Sequence, residues 1–420
     1  MATPKLRFKE FDGDWSNKKI GNIASKVGSG STPRGGAEAY TDHGIIFIRS
    51  QNVNNDQLLL DDVAYIPEET HLKMSGSKVI ANDILLNITG ASIGRSCVVP
   101  HDFTEANVNQ HVCIIRTPHD DPIFVQSFLS SENGQNAIQS KQAGGGREGL
   151  NFQAIRSIDF HFPPLKEEQT KIASFLSAVD EKMSQLTQKH ELLSQYKQGM
   201  MQKLFSQQIR FKADDGSEFG EWEEKTLIDS VDTNIKWSFT GGPFGSNLKS
   251  EDYTESGIRI IQLQNIGDGA FLNGYKLYTS VEKANELLSC NIYPEEILIS
   301  KMGDPVARCC IVPKHHNRYV MCSDGIRLVV DKQNYSFIFM FYQINYQDFR
   351  HNASDVSTGS TRKRIGLNDL KQLPIKVPCL VEQTKIANFL SSIDQKIEVV
   401  AQQIEQAKTW KKGLLQQMFV

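Results

Sequence analysis

The sequence predicts an α+β protein in which two repeated mixed α/β domains are joined by two long antiparallel coiled-coil helices, the halves related by an approximate two-fold axis. Three observations predict it. EQTKIASFLS, from Glu168, returns as EQTKIANFLS, from Glu382, 214 residues further on. Each copy opens a segment, 164–206 and 378–420, whose apolar residues recur at heptad spacing. Between these segments, β-branched runs punctuated by Gly, Asn and Ser return in the same order in both halves.

Taken in order, RFKEFDGDW from Arg7 restarts as RFKADDGSEFGEW from Arg210. GIIFIRSQNV at 44–53 meets GIRIIQLQNI at 257–266, and NDILLNITGASIGRSCVVP at 82–100 meets EEILISKMGDPVARCCIVP at 295–313. HVCIIRT and GIRLVVD follow as further strand-like runs. A period this long marks a duplicated domain-plus-helix unit, because solenoid repeats run only about 20–50 residues. One helix-like stretch, PIFVQSFLSSENGQNAIQSKQ, interrupts the strands of the first block. The expected parts are a first domain over 1–163, a central helix over 164–206, a second domain over 207–377 and a distal helix over 378–420. Pro163, Pro164, Pro374 and Pro378 sit where a strand region stops and a helix begins.

The helix seams read Ile172, Val179, Leu186, Leu193 and Met200, with Leu176, Met183, His190, Lys197 and Leu204 four residues after each. Their counterparts are Ile386, Ile393, Val400, Ala407 and Leu414, with Leu390, Ile397, Ile404, Lys411 and Met418. A helix of some 40 residues spans about 60 Å at about 1.5 Å per residue, and a narrow apolar stripe of that length needs a partner. The nearest candidate is the repeat in the same chain; the alternative is a coiled coil between copies.

Composition is that of an ordinary globular chain, 39% hydrophobic and 23% charged over 420 residues. No signal-like apolar run opens it and nowhere do 18 apolar residues follow one another, so a soluble, cytoplasmic protein that does not enter the membrane is expected. Seven cysteines without regular spacing fit a reducing compartment. Net charge is −3, and acidic residues slightly outnumber basic ones in both globular blocks, 1–162 and 207–377, so a strong unaided grip on nucleic acid through bulk charge is not indicated. No GxxxxGK[ST] phosphate loop and no [ND]PP[YF] amino-methyltransferase tetrapeptide occurs, so no catalytic residue is assigned and an autonomous methyltransferase is disfavoured. Cys309, Cys310, His315, His316 and Cys322 are close in sequence but lack CxxC spacing, and Cys310 repeats the position of Cys97 in a strand-like run. They read as buried structural cysteines, with no metal ligand assigned and no cofactor expected.

Two similar domains about a two-fold axis resemble a dimer made from one chain, and two-fold proteins read duplex DNA as half-sites roughly 34 Å apart. The resemblance then becomes specific. PPLxxEQxxIAxFLxxxD, carried by Pro164, Leu165, Glu168, Gln169, Ile172, Phe175, Leu176 and Asp180, repeats as PxLxEQxxIAxFLxxxD in Pro378, Leu380, Glu382, Gln383, Ile386, Phe389, Leu390 and Asp394. Cys379 replaces the second proline. The order of domain, motif helix, domain and motif helix resembles the specificity subunit of type I restriction-modification systems over essentially the whole chain. That resemblance implies two target-recognition domains, each reading half of a split site in double-stranded DNA. It also implies two modification subunits that bind S-adenosylmethionine and methylate adenine, and restriction subunits that translocate and cut DNA with ATP. The rival reading is a coiled-coil scaffold binding proteins or other ligands through its two domains.

Candidate DNA contacts are polar and basic residues in loops at strand ends, since Arg pairs bidentately with guanine and Asn or Gln with adenine. In the first domain they are Ser31, Thr32, Arg34, Arg49, Gln51, Asn52, Arg95, Asn109 and Gln110. In the second they are Ser246, Asn247, Lys249, Gln262, Gln264, Asn265, Lys301, Arg308 and Arg327. A further element, R-x-G-L-N, precedes each helix, with Arg147 and Asn151 in the first half and Arg364 and Asn368, preceded by Arg362 and Lys363, in the second. The alternative for it is a turn whose Arg and Asn cap neighbouring backbone.

Overall fold

The computed structural model describes residues 3–54, 56–142, 149–359 and 362–419. The chain separates into two units, residues 1–189 with 400–420 and residues 190–399. Each unit thus holds one strand-rich domain and part of each long helix.

The first unit contains strands β1 Ser16–Lys19, β2 Lys26–Ser29, β3 Ile45–Ile48, β4 Val53–Asn54, β5 Gln57–Leu58, β6 Ala64–Ile66, β7 Lys78–Val79, β8 Ile84–Asn87, β9 Ser96–Val98, β10 Ala106–Val108, β11 Val112–Arg116 and β12 Asp159–Phe162. Its helices are α1 Ile20–Ile23, α2 Glu68–Lys73, α3 Pro122–Ser130, α4 Glu132–Ser140, α5 Phe152–Arg156 and the first part of α6 Lys166–Phe205. One antiparallel sheet runs β2-β11-β8-β9, and a second runs β6-β3-β10-β7 with a parallel β3–β10 pair. The run at β8 is apolar without alternation because both faces of its sheet are covered. Ile84 and Leu86 point into the core shared with the helices, whereas Leu85, with Cys97 and Ile114, points into the core of the second sheet.

The single helix expected over 122–142 is two, α3 and α4, broken at Ser131. The Ser131 hydroxyl accepts from the Gly134 amide and starts the new helix. A Cβ on Gly134 would lie 1.9 Å from the Phe128 carbonyl oxygen, so the close turn requires glycine there.

The second unit repeats this plan with β13 Glu223–Thr226, β14 Phe239–Gly241, β15 Tyr253–Thr254, β16 Ile258–Ile261, β17 Leu277–Thr279, β18 Asn291–Ile292, β19 Ile297–Ser300, β20 Cys309–Ile311, β21 Tyr319–Met321, β22 Gly325–Leu328 and β23 Pro374–Val377. Its helices are α7 Val281–Glu286, α8 Phe337–Asn345, α9 Gln347–Asp355, α10 Leu367–Lys371 and the first part of α11 Leu380–Met418. The sheets run β14-β22-β19-β20 and β15-β17-β16-β21-β18. Ile297 and Ile299 face one core while Leu298 and Cys310 face the other, the same division as in the first unit.

Every seam position of both helices is buried or half-buried. In the first unit the early part of α6 lies beside the late part of α11: Phe175 meets Trp410 edge to face, and Asp180 pairs with Lys411 at 2.6 Å. Lys411 also reaches Asp56 at 2.9 Å, and it is only 13% exposed. In the second unit the late part of α6 lies beside the early part of α11, with Lys197 and Asp394 2.6 Å apart and the Tyr342 hydroxyl donating to Asp394. The helices are therefore antiparallel. Two lysines at seam positions, each matched to the aspartate that ends the FLxxxD motif, disfavour other registers as polar seam residues do in coiled coils. No helix of the described residues is long and apolar enough to cross a membrane.

Each domain is closed onto its helix by one ion pair. The Glu168 carboxylate, 1% exposed, accepts two bonds from the Arg7 guanidinium at 2.7 and 2.8 Å and one from the Trp15 indole. Arg7 spends its remaining donors on the carbonyls of Asp12 and Gly13. β1 follows and pairs with β12, the strand that leads into α6. Arg210, Glu382, the Gly220 carbonyl and the β13–β23 ribbon repeat the arrangement. The neighbouring glutamines anchor the next helices: Gln169 accepts from the Asp121 amide and donates to Asp120, and Gln383 accepts from the Ser336 amide. Removing one member of a buried pair strands the other charge at a cost of about 3–5 kcal/mol. Arg7→Ala should therefore destabilise the first unit by about that amount in denaturant unfolding, and unfolding indistinguishable from the parent would contradict the assignment.

Candidate nucleic-acid interface

The loops between these strands meet at one rim in each unit, because the hydrogen-bond registers bring the strand ends level. In the first unit the end of β2 pairs with the start of β11, which pairs with the end of β8, which pairs with the start of β9. The Gly30 amide donates to the Asn109 carbonyl, and the Asn109 amide donates to the Ile48 carbonyl, which brings in the loop after β3. Across the rim the Thr32 hydroxyl donates to Gln110 at 2.5 Å, Gln110 meets His111 at 3.1 Å, and His111 meets Thr89 at 2.6 Å. Thr89 bridges to Gly149, so that glycine of the R-x-G-L-N element joins the same edge.

Ser31, Thr32, Arg34, Gln51, Arg95, Gln110 and Asn151 are exposed there and Arg49 is half-buried. Asp62 orients the loop after β3, accepting from Gln51 at 2.8 Å and lying 3.7 Å from Arg49. Arg147 lies outside the described residues. The Asn151 side-chain oxygen accepts from the Ala154 amide and caps α5, which commits that oxygen to the turn.

The second unit builds its rim in the same way. The end of β14 pairs with the start of β22, the start of β22 with the end of β19, and the end of β19 with the start of β20. The Lys301 amide donates to the Asp324 carbonyl, and the Ile365 amide donates to the Lys301 carbonyl. Arg364 donates to the Asp324 carboxylate at 2.6 Å while remaining 46% exposed. Ser246, Asn247, Lys249, Gln264, Arg362, Lys363 and Asn368 are exposed, and Gln262, Lys301 and Arg308 are half-buried. Lys363 is drawn to the Ser354 hydroxyl and Arg308 to the Ile266 carbonyl, which holds the 301–308 loop in place.

Four of the expected contacts are turned inward. Asn52 accepts from the Arg49 amide and donates to the carbonyls of Leu59 and Asp62; Asn265 accepts from the Gln262 amide and donates to those of Leu272 and Tyr275. Both are buried and fix the turn after a strand, leaving no amide edge for a base. Asn109 is buried with its oxygen accepting from the His111 amide. Arg327 is buried in a two-pronged pair with Glu296 at 2.5 and 2.8 Å and braces the sheet. The acidic partners Asp62 and Asp324 escaped the sequence reading, since they lie 13 and 40 residues from the arginines they hold.

Cys309, Cys310 and Cys322 are buried in strand packing. Burial pushes the Cys309 thiol up to about 12 and that of Cys322 up to about 11, so both stay protonated thiols near neutral pH. No group of three or more His, Cys, Asp or Glu side chains suited to a metal ion occurs among the described residues.

Two units that share a scaffold and carry different side chains on matching loop rims define a protein built for two separate recognition events. The family model for the type I restriction modification DNA specificity domain matches residues 12–194 and 245–409, and the chain belongs to that family. It is 27% identical over 368 residues to the type I restriction enzyme MjaVIII specificity subunit of Methanocaldococcus jannaschii, covering 82% of this chain and 80% of that one. It is 24% identical over 425 residues to the putative MjaX specificity subunit of the same organism, covering 98% and 94%. A crystal structure of a type I restriction-modification S subunit from M. genitalium shares the fold over 100% of this chain and 99% of that one, with a TM-score of 0.60 at 17% identity.

Glycine sets the height of each rim. A Cβ on Gly30 would sit 1.6 Å from the Val108 carbonyl oxygen, and one on Gly242 would sit 1.7 Å from that of Cys322. Gly242→Ala should force these backbones apart and lower the stability of the second unit by about 1–3 kcal/mol. Equilibrium denaturation checks this, and an unchanged midpoint would show that the loops are not in contact.

Proposed function

We propose that this chain is the sequence-reading subunit of a type I restriction-modification complex. The rim of each unit reads one half of a bipartite site in double-stranded DNA, and the paired helices set the spacing between halves. The observation that carries this reading is the repetition of one scaffold with different rims: equivalent strand ends deliver SGSTPRGG in one unit and GGPFGSNLK in the other. A shared framework with different base-facing side chains is what reading two unrelated half-sites requires. The acidic overall balance fits a subunit that grips DNA only inside an assembly. The other members are two modification subunits carrying S-adenosylmethionine, docked along the helices, and restriction subunits driven by ATP. In this division of labour the present chain supplies specificity, and the chemistry belongs to its partners.

Arg364 is the best-defined phosphate or guanine contact. Asp324 takes one of its donors and orients the guanidinium of a side chain that stays 46% exposed. Arg364→Ala should weaken DNA binding by the assembled complex by about 1–3 kcal/mol without loss of assembly. Equal weakening on cognate and scrambled duplexes marks a phosphate contact, and weakening on the cognate alone marks a base contact. Affinity equal to the parent's on both would reject Arg364 as a contact. For the helices, removing seven residues from each at matched positions outside the EQ motifs keeps the seam in register and shortens them by about 10 Å, or about three base pairs. The methylated motif recovered from such a strain should keep both half-sites and change its spacer. An unaltered spacer would sink the ruler.

A further inference from the structure

Phe244 is the most exposed of the large hydrophobic side chains among the described residues, at 82%. Its position is built, not incidental. β14 ends at Gly241, the Gly242 amide donates to the Gly325 carbonyl at 2.9 Å, and Pro243 is buried. The Phe244 carbonyl then accepts from the Asn247 amide at 2.8 Å, which closes a tight turn with Phe244 as its first residue. The loop after β2 in the first unit is spaced differently: Gly30 presses on the Val108 carbonyl, Pro33 follows three residues later and is buried, and the next residue, Arg34, is exposed. A Pro-X-Gly tripeptide thus carries arginine in one loop and phenylalanine in the other.

At 82% exposure the ring buries little in the fold, which points to a role in what it meets outside. A protein partner would call for a contiguous apolar patch. Here the exposed residues that follow the ring on its loop are Ser246, Asn247 and Lys249, and the rim carries Arg364. One apolar probe among polar and cationic groups fits DNA, whose grooves offer two apolar surfaces: the thymine C5-methyl and the face of an opened base step.

Resting on the DNA-reading function above, we propose that Phe244 is a specificity-determining residue of the second half-site that packs its ring against an apolar base surface. The test uses the full chain assembled with the modification subunits of its own system, on duplexes bearing the motif recovered from methylated DNA. Phe244→Ala should weaken binding to the cognate duplex about ten-fold and leave affinity for a duplex with a scrambled second half-site unchanged. If the surface is a thymine methyl, one thymine-to-deoxyuridine replacement weakens the parent equally and leaves Phe244→Ala unaffected. If it is a base step, 2-aminopurine placed there brightens on binding the parent and not the variant. Cognate affinity retained by Phe244→Ala, equal losses on both duplexes, or lost specificity with neither signature would each overturn the proposal. Failure of the parent itself to distinguish the duplexes would instead overturn the DNA-reading function, and the proposal with it.

Discussion

A buried carboxylate in the first turn of each long helix, Glu168 or Glu382, constrains the rest of its unit. Left unpaired at that depth it would cost several kcal/mol, so the chain must bring a cation to it, and the cation comes from the segment that begins each domain, Arg7 or Arg210. Because the same guanidinium binds backbone carbonyls of its own loop, the pair also fixes where the domain's first strand starts. That strand pairs with the strand leading into the helix, so each domain is closed at the point where its helix departs. The adjacent Gln169 and Gln383 tie the same turn to the start of α3 and α8.

From this closure the rim follows. A helix anchored at its first turn presents a fixed apolar face, and the sheets fill the space between it and the second core, buried on both sides. Strands held in that way cannot slip by one residue without turning their apolar side chains into the wrong core. Their ends therefore stay level while the loops beyond them are free to differ. The loops after β2 and β14, with exposed Arg34 in one and exposed Phe244 in the other, differ in spacing and sequence beyond matching strand ends. Stability lives in the frame, and in the function proposed above recognition lives in the loops.

Much of this was legible in the sequence, for physical reasons. The heptads were readable because both helices need the same stripe along their whole length, and they appear as Lys166–Phe205 and Leu380–Met418. The strands were readable because doubly covered sheets demand unbroken β-branched runs. Residue type misled where polar groups serve the fold: Asn52 and Asn265 have the chemistry that reads adenine, yet their amides are spent on the turns after β3 and β16. Arg327 looked like a guanine reader and is half of a buried pair. The Arg7–Glu168 pair spans 161 residues, so no local pattern disclosed it, although the repeated RF segment and the repeated EQ motif each held one end. Phe244 was passed over because the reading sought polar contacts, and only its exposure sets it apart.

The central claim is that each rim independently reads its own half of one site. Its most direct measurement is methylated-base sequencing of a host carrying the complete system, first with this chain and then with residues 1–162 exchanged for another recognition domain of the same family. The expected result is a bipartite motif in which the exchange replaces one half and leaves the other half as it was. A motif that changes in both halves, or a single continuous motif, would contradict it.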